Sequence, residues 1–243
     1  MFKVNFLSAD SIFDGHLRIK QQRCGYRFSI DAVILAYHAD PKTDDRVVDL
    51  GTGCGVIPLI MAYRHPSIAV YGIEVQTELA AIADLNVKDN QLTGRISIIC
   101  KDMKKLKIST ISGPVDLVTC NPPFRKAKSG RINPNQQRAV ARHEIKVTVK
   151  DVVQAARRIL RPRGKFLMIY TAERMADLFS QLGSAGMEPK RLRTVHSAAG
   201  KEAKLILVEA LKGGRPGIKI GPPLIIYRKD GSYTAEVEKM FLP

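Results

Sequence analysis

The regular alternation of β-rich runs with helical patterns, which begins near Asp45, most constrains how this chain can fold. Seven short runs are apolar and rich in β-branched residues, which is typical of buried strands. They are RVVDL (46–50), IAVYGIEV (68–75), RISIIC (95–100), VDLVTC (115–120), GKFLMIY (164–170), RLRTVHS (191–197) and AKLILVEAL (203–211). Helical patterns separate most of these runs, so the strands should pair mainly in parallel, with helices on both faces. We therefore predict a doubly wound α/β domain with a mostly parallel, seven-stranded sheet.

The length and composition of the chain fit one such domain. Its 243 residues are 45% hydrophobic, which is enough to bury a core. No run of about 18 apolar residues occurs and the N-terminal stretch lacks the pattern of a secretory leader, so we expect a cytoplasmic protein with no membrane segment. Four widely spaced cysteines form no metal-binding pattern, and we expect them to be buried thiols: Cys24, Cys54, Cys100 and Cys120.

The glycine-rich stretch DLGTGCG (49–55) follows the first predicted strand. Glycines at alternate positions allow a tight turn and let a ligand approach the backbone, although a turn without a ligand has the same pattern. Glu74 ends the second strand at the same edge, where a carboxylate can accept both hydroxyls of a ribose.

The spacing of Gly51, Gly53 and Gly55 favours one class of cofactor. A dinucleotide would require GxGxxG, whereas these glycines form GxGxG directly after Asp49. S-adenosylmethionine has no pyrophosphate and carries an ammonium that Asp49 can help hold. Asp102, after the third strand, can accept a hydrogen bond from an adenine amino group, although an exposed loop acid fits that position equally well.

The fourth strand ends in Asn121-Pro122-Pro123-Phe124. Prolines stop the strand and hold the following loop extended. The Asn121 side-chain oxygen and the Pro122 carbonyl can then accept the two hydrogens of a planar amine, while Phe124 stacks on its ring. We predict that Asn121, Pro122 and Phe124 are catalytic, with a simple strand-ending turn as the alternative.

The net charge of +16 indicates a polyanionic partner, and nucleic acid is the class predicted, although excess cations can also serve solubility alone. Six cations without an intervening acid follow the NPPF stretch: Arg125, Lys126, Lys128, Arg131, Arg138 and Arg142. We predict that this basic loop grips RNA phosphates while a base is flipped into the site; a solvated loop is the alternative. Five further cations are expected to extend this surface: Arg161, Arg163, Lys165, Arg191 and Arg193.

VVDLGTGCG, GIEV and NPPF, in this order, resemble the motifs of class I S-adenosylmethionine-dependent methyltransferases that act on exocyclic or amide nitrogens. The stretch FDGHLRIKQQRCGYRFSIDAVILAYHA and the tail GPPLIIYRKDGSYTAEVEKMF resemble the bacterial tRNA adenine-N6 methyltransferases, which modify position 37 of a valine tRNA. The resemblance implies a Rossmann-like fold with three parts: a cofactor-capping segment (1–40), a catalytic core (41–212) and a tail that packs on the core (213–243). It departs at Phe124, where many nitrogen methyltransferases have Tyr.

The resemblance also implies roles for individual residues. Asp49 and the three glycines would surround the methionine part of the cofactor, Glu74 the ribose and Asp102 the adenine, with Asn121 close by. The segment 25–32 would close over the cofactor through Ser29 and Asp31; the alternative for Ser29 is an ordinary helix cap.

The expected activity is methyl transfer to the exocyclic N6 of an adenine, in tRNA near the anticodon, by a monomer that needs no metal. Three alternatives stay open: a guanine-N2 methyltransferase of ribosomal RNA, a protein glutamine methyltransferase, and a non-catalytic RNA-binding protein on the same fold. The methylated product would distinguish the first two, and failure to bind the cofactor would favour the third.

Overall fold

The computed structural model describes residues 7–23, 27–122 and 147–242. An antiparallel hairpin of β1 (Leu7–Ile12) and β2 (Leu17–Gln22) comes first. Nine further strands form the main sheet in this part of the chain: β3 (Arg46–Leu50), β4 (Ala69–Glu74), β5 (Ile96–Cys100), β6 (Val115–Cys120), β7 (Leu160–Thr171), β8 (Met187–Ala198), β9 (Ala203–Lys212), β10 (Lys219–Ile220) and β11 (Leu224–Tyr227). The helices are α1 (Ile30–His38), α2 (Val56–Arg64), α3 (Thr77–Asp89), α4 (Val149–Ile159), α5 (Met175–Ser184) and α6 (Ala235–Glu238).

The strand order is β10-β8-β9-β7-β6-β3-β4-β5, with β11 also paired to β8. Strands β3 to β7 run parallel, and β9 lies antiparallel between β7 and β8. All seven predicted strands are present, so the prediction of a doubly wound, mostly parallel sheet is confirmed. The two additional strands, β10 and β11, come from the tail and pair in parallel with β8.

Strand order reverses between β3 and β6. From β3 the chain moves outward to β4 and then β5, and it returns to pair β6 on the other side of β3. Side chains at the carboxyl ends of β3, β4 and β6 therefore meet at one crevice, which is where open α/β sheets bind ligands.

Two buried apolar clusters hold the layers together, one on each face of the sheet. The first joins the hairpin, α1, α2 and α3 to the sheet, and the second joins α4 and α5 to it. Helix α4 shows how the sequence produces this arrangement: Thr148 and Asp151 form a reciprocal capping box at its start, and its buried residues Val149, Val152 and Val153 face the sheet.

Arg193 ties the tail to the core. Its guanidinium donates to both carboxylate oxygens of Glu236, at 2.7 and 2.8 Å, and to the Pro222 carbonyl at 2.8 Å. Only 17% of its side chain is exposed. The expectation that Arg193 extends an RNA-binding surface is therefore wrong, because the charge is already paired within the fold.

The cysteines differ from expectation at one position. Cys54 and Cys120 are buried, and burial raises the pKa of both thiols. Cys100 ends β5 at the carboxyl edge of the sheet and is exposed. Cys24 lies outside the described residues.

Asn86 fastens the hairpin to the core. Its Oδ1 accepts from the Lys20 amide at 2.8 Å, and its Nδ2 donates to the Lys20 carbonyl at 2.8 Å and to the Cys54 carbonyl at 2.9 Å. The side chain is fully buried. One turn later Asn90 makes the same paired contacts with Arg18, in a more exposed position.

Asn86→Ala is expected to lower the free energy of unfolding by about 2–4 kcal/mol, because it leaves buried backbone groups without partners. Asn90→Ala is the matched control, and water can replace its lost partners, so a loss below about 1 kcal/mol is expected. Urea unfolding of both variants measures the difference. Equal losses would contradict the role given to burial.

Candidate active site

The glycine turn is held against the end of β4. The amides of Gly51 and Thr52 both donate to the Ile73 carbonyl, at 2.9 and 3.0 Å, and the Gly53 amide donates to Glu74 Oε2 at 2.9 Å. Gly51, Gly53 and Gly55 have φ values of 74°, 59° and 85°, in the left-handed region that glycine adopts without strain. This sequence therefore forms the turn because glycine stands at each position that requires it.

Asp49 is the fully buried acid beneath this turn. Its Oδ1 accepts from Thr119 Oγ1 at 2.8 Å. Burial raises the pKa of Asp49 to about 6, against the lowering effect of the nearby Thr52 and Thr119 hydroxyls, and the charge of Glu74 raises it further. Within the described residues, Asp49 Oδ2 and Thr52 Oγ1 lack a hydrogen bond of ordinary geometry.

Two buried oxygen atoms without a well-formed hydrogen bond fit a ligand that brings donors or positive charge. Buried polar groups are rarely left without partners, and an unpaired one in a ligand crevice calls for an explanation. The ammonium of S-adenosylmethionine has three donors and a positive charge, which would favour the ionised form of Asp49. The residues present therefore fit the methionine end of this cofactor.

Glu74 accepts hydrogen bonds from the turn, and its carboxylate oxygens can still accept further hydrogen bonds at the crevice. Its Oε1 accepts from the Gln76 amide at 2.9 Å, and Oε2 from Gly53. Each carboxylate oxygen has a further lone pair, which can accept a ribose hydroxyl. The side chain is 5% exposed, so its charge is held in place by backbone donors.

Glu74→Gln is expected to weaken cofactor binding at least about tenfold, because an amide group would face a backbone N–H and could accept at only one atom. Isothermal titration with S-adenosylmethionine measures the affinity. Glu78→Gln, an exposed position in the first turn of α3, is the matched control and should leave the affinity unchanged. An unchanged affinity for Glu74→Gln would contradict the ribose role.

The register of the strands places Asn121 beside the glycine turn. Leu50 pairs with Ile73 on one side and with Cys120 on the other. Gly51, Glu74 and Asn121 each come one residue later, so all three lie at the carboxyl edge of adjacent strands. Asn121 is 9% exposed, and Pro122 is half-buried. Phe124 and the six cations of the basic loop lie outside the described residues.

The three other residues predicted to contact the cofactor, Asp102, Ser29 and Asp31, already have hydrogen-bond partners in the fold. Asp102 caps a short 3₁₀ turn after β5, where its Oδ1 accepts from the Lys104 amide at 2.9 Å. Ser29 is at the N-cap position of α1 but makes no capping hydrogen bond with its side chain. Its hydroxyl instead bonds the half-buried Asp31, whose pKa burial raises despite that bond.

Sequence reasoning missed four residues that support the site: Thr52, Gly72, Thr119 and Asn86. Gly72 pairs with Asp49 in register, and a Cβ there would lie 2.8 Å from Ile98 Cδ1 and 3.0 Å from Thr52 Cγ2. A glycine inside a strand often indicates close approach of another group, so Gly72 carried a usable signal. Thr119 and Asn86 carried none, because their partners are distant in sequence, and Thr52 was not singled out within the glycine stretch.

In the part of the chain described, no helix is both long and apolar enough to cross a membrane. The same residues contain no group of three or more His, Cys, Asp or Glu side chains arranged to hold a metal ion.

Comparison with known proteins identifies the family. A family model for the methyltransferase small domain matches residues 26–184. The tRNA1(Val) (adenine(37)-N6)-methyltransferase of Porphyromonas gingivalis is 31% identical, over 93% of this chain and 91% of that protein. The enzyme of the same name from Dyadobacter fermentans is 25% identical, over 88% of this chain and 87% of that protein. The crystal structure of a predicted O-methyltransferase from Agrobacterium tumefaciens superposes with a TM-score of 0.70 at 22% identity, over 86% of this chain and 94% of that one. The chain thus belongs to the methyltransferase small domain family, among the bacterial tRNA adenine-N6 methyltransferases.

Proposed function

We propose that the protein transfers a methyl group from S-adenosylmethionine to the exocyclic N6 of an adenine in tRNA, at position 37 of a valine tRNA. The observation that carries the proposal is the alignment of Gly51, Glu74 and Asn121 at one sheet edge, above the buried Asp49 carboxylate, whose Oδ2 lacks a hydrogen bond of ordinary geometry. The Porphyromonas relative, which matches this chain over most of its length, is named for the same activity.

The cofactor would be held by side chains around the β3 and β4 ends. Asp49 is assigned to the ammonium, the glycine turn to the methionine backbone and Glu74 to the ribose hydroxyls. Asp102 is assigned to the adenine, since its Oδ2 is not used by the Lys104 amide, although Lys104 Nζ stands 4.0 Å from it. Ser29 and Asp31 are proposed to close over the cofactor from the start of α1.

When bound, S-adenosylmethionine supplies a methyl group that a nitrogen lone pair can attack in line. Asn121 and the Pro122 carbonyl would accept the two amine hydrogens and so turn the lone pair out of conjugation with the ring. Phe124 would stack on the adenine. Catalysis would rest mainly on proximity and orientation, and the proton would leave to Asn121, a carbonyl or water.

The substrate and setting follow from the same reasoning. The six cations from Arg125 to Arg142 are proposed to hold RNA phosphates beside the flipped base. Because tRNA modification takes place where tRNA is found, the proposed location is the cytoplasm. The protein is proposed to act as a monomer and without a metal ion.

The test is methyl transfer from labelled S-adenosylmethionine to unmodified bacterial tRNA, with ribosomal RNA and release factor assayed in parallel. Products are digested to nucleosides and amino acids. N6-methyladenosine in the valine tRNA is the expected product. Label in guanosine or glutamine alone would overturn the substrate, and absence of label with every acceptor would favour a non-catalytic RNA-binding protein.

A further inference from the structure

A basic cavity of about 680 Å³ lies between α4 and α5, away from the crevice described above. We call it the α4 groove. Four cations and two amides line it: Lys150, Arg157, Arg158, Lys212, Gln154 and Gln181. No Asp or Glu is among its lining residues. The groove therefore offers hydrogen-bond donors and positive charge without a compensating carboxylate.

The four cations of the groove form no ion pairs with other described residues. Among the described residues, none of the four lies within salt-bridge distance of a carboxylate, although Arg158 donates to the Met103 carbonyl at 3.0 Å and Lys212 to the Leu160 carbonyl at 2.5 Å. Burial lowers the pKa of Lys212, and the neighbouring Arg157 lowers it further. The like charges thus repel one another, and an anion in the groove would relieve this repulsion.

The positions on α4 form one stripe. Lys150, Gln154 and Arg157 follow one another at helical spacing and are exposed, while the opposite face of the helix is buried. Lys150 and Arg157 are seven positions apart, which corresponds to about 10 Å along the helix axis. A row of cations of this length suits an extended polyanion better than a single small anion.

The groove connects the two edges of the sheet. Helix α4 joins the parallel strands β6 and β7, so it starts at the carboxyl edge, where Asn121 lies, and runs toward the amino edge. Lys212 ends the antiparallel strand β9 and pairs with Met187 at the start of β8, which places it at the amino edge. The stripe therefore leads away from the site where the target base is proposed to enter.

We propose that the α4 groove binds the sugar-phosphate backbone of the tRNA whose adenine enters the site, an assignment that rests on the proposed function. Lys150 and Arg157 contact successive phosphates, and Gln154 and Gln181 donate to phosphate or ribose oxygens. Contacts of this kind position the RNA and do not read its sequence. The groove thus adds an RNA-binding surface on the described part of the fold.

The test is the salt dependence of binding of fluorescently labelled, unmodified tRNA to the full chain. Lys150→Gln with Arg157→Gln removes two exposed cations whose side chains form no hydrogen bond or ion pair within the described part of the chain. The matched control is Lys42→Gln with Lys219→Gln, which removes the same charge from exposed sites elsewhere. Loss of two phosphate contacts is expected to reduce the slope of log affinity against log salt by about 1.5 and to weaken binding about tenfold near 0.1 M salt. The control should change affinity less than about threefold.

The groove variant should raise KM for tRNA without changing kcat or the affinity for S-adenosylmethionine. If the groove variant and the control show the same dependence of log affinity on log salt, the proposal is overturned. An acidic protein would then be the class of partner for the groove. The two proposals fail separately: groove-dependent binding with label outside N6-methyladenosine overturns the function, whereas normal methylation with an unchanged slope overturns the groove.

Discussion

Alanine in place of Asn121 is expected to lower the rate of methyl transfer at least about 100-fold, because the amine would lose an acceptor that orients its lone pair. Cofactor affinity should change less than about threefold, since the charged contacts are assigned to Asp49 and Glu74. Single-turnover transfer with saturating tRNA measures the rate, and isothermal titration measures the affinity. The split between the two quantities is the signature of a residue that acts on the amine.

Asn121→Asp is the informative companion variant. It preserves side-chain volume and retains an oxygen that can accept from the amine, so it should transfer methyl faster than Asn121→Ala. Thermal melting of both variants controls for folding, because the side chain is largely buried. Transfer by Asn121→Ala at close to the parent rate would remove Asn121 from the catalytic role.

Asp49→Asn is expected to weaken S-adenosylmethionine binding at least about 30-fold, because the charge assigned to the ammonium would be lost. The same substitution should stabilise the free protein. A pKa of about 6 for a buried carboxyl, against 3.8 for an ordinary one, means that ionising Asp49 in the fold at pH 8 costs up to about 3 kcal/mol. Asparagine keeps Oδ1 as an acceptor for Thr119 and avoids this cost.

The sign of the pH dependence follows from the raised pKa of Asp49. Between pH 3.8 and about 6 the folded protein binds more protons at this site than the unfolded chain, so the carboxyl destabilises the fold increasingly as pH rises. The gain from Asp49→Asn should therefore be largest above pH 6 and smaller at pH 5. Cofactor affinity of the parent should fall as pH drops below about 6, since protonation removes the charge.

Urea unfolding at pH 5 and pH 8, with titration of the cofactor at both values, checks these expectations. Asp84→Asn is the matched control: this half-exposed acid pairs with Lys88 on the surface of α3, and its loss should affect neither quantity appreciably. Destabilisation by Asp49→Asn at pH 8, or a cofactor affinity equal to that of the parent, would contradict the assignment of Asp49.

The strands and most helices were predictable because each depends on a local pattern. β-Branched apolar runs indicate buried parallel strands, and helical spacing indicates the segments that cover them. The glycine turn was predictable for the same reason, since only glycine adopts three left-handed conformations there without strain. The N-terminal hairpin was not predicted, because its strands LSADSI and LRIKQQ are partly polar and are stabilised by contacts with α3.

Local patterns in the chain were enough to predict which residues end the strands, and hence that Asp49, Glu74 and Asn121 would meet at one edge of a parallel sheet. The hydrogen-bond partners of these groups, in contrast, depend on long-range contacts that no local pattern shows. The contact between Thr119 and Asp49 spans 70 residues, and the contact between Asn86 and Lys20 spans 66. Burial and long-range hydrogen bonding set the pKa of Asp49 and the pairing of Arg193, and neither depends on the residues adjacent in the chain.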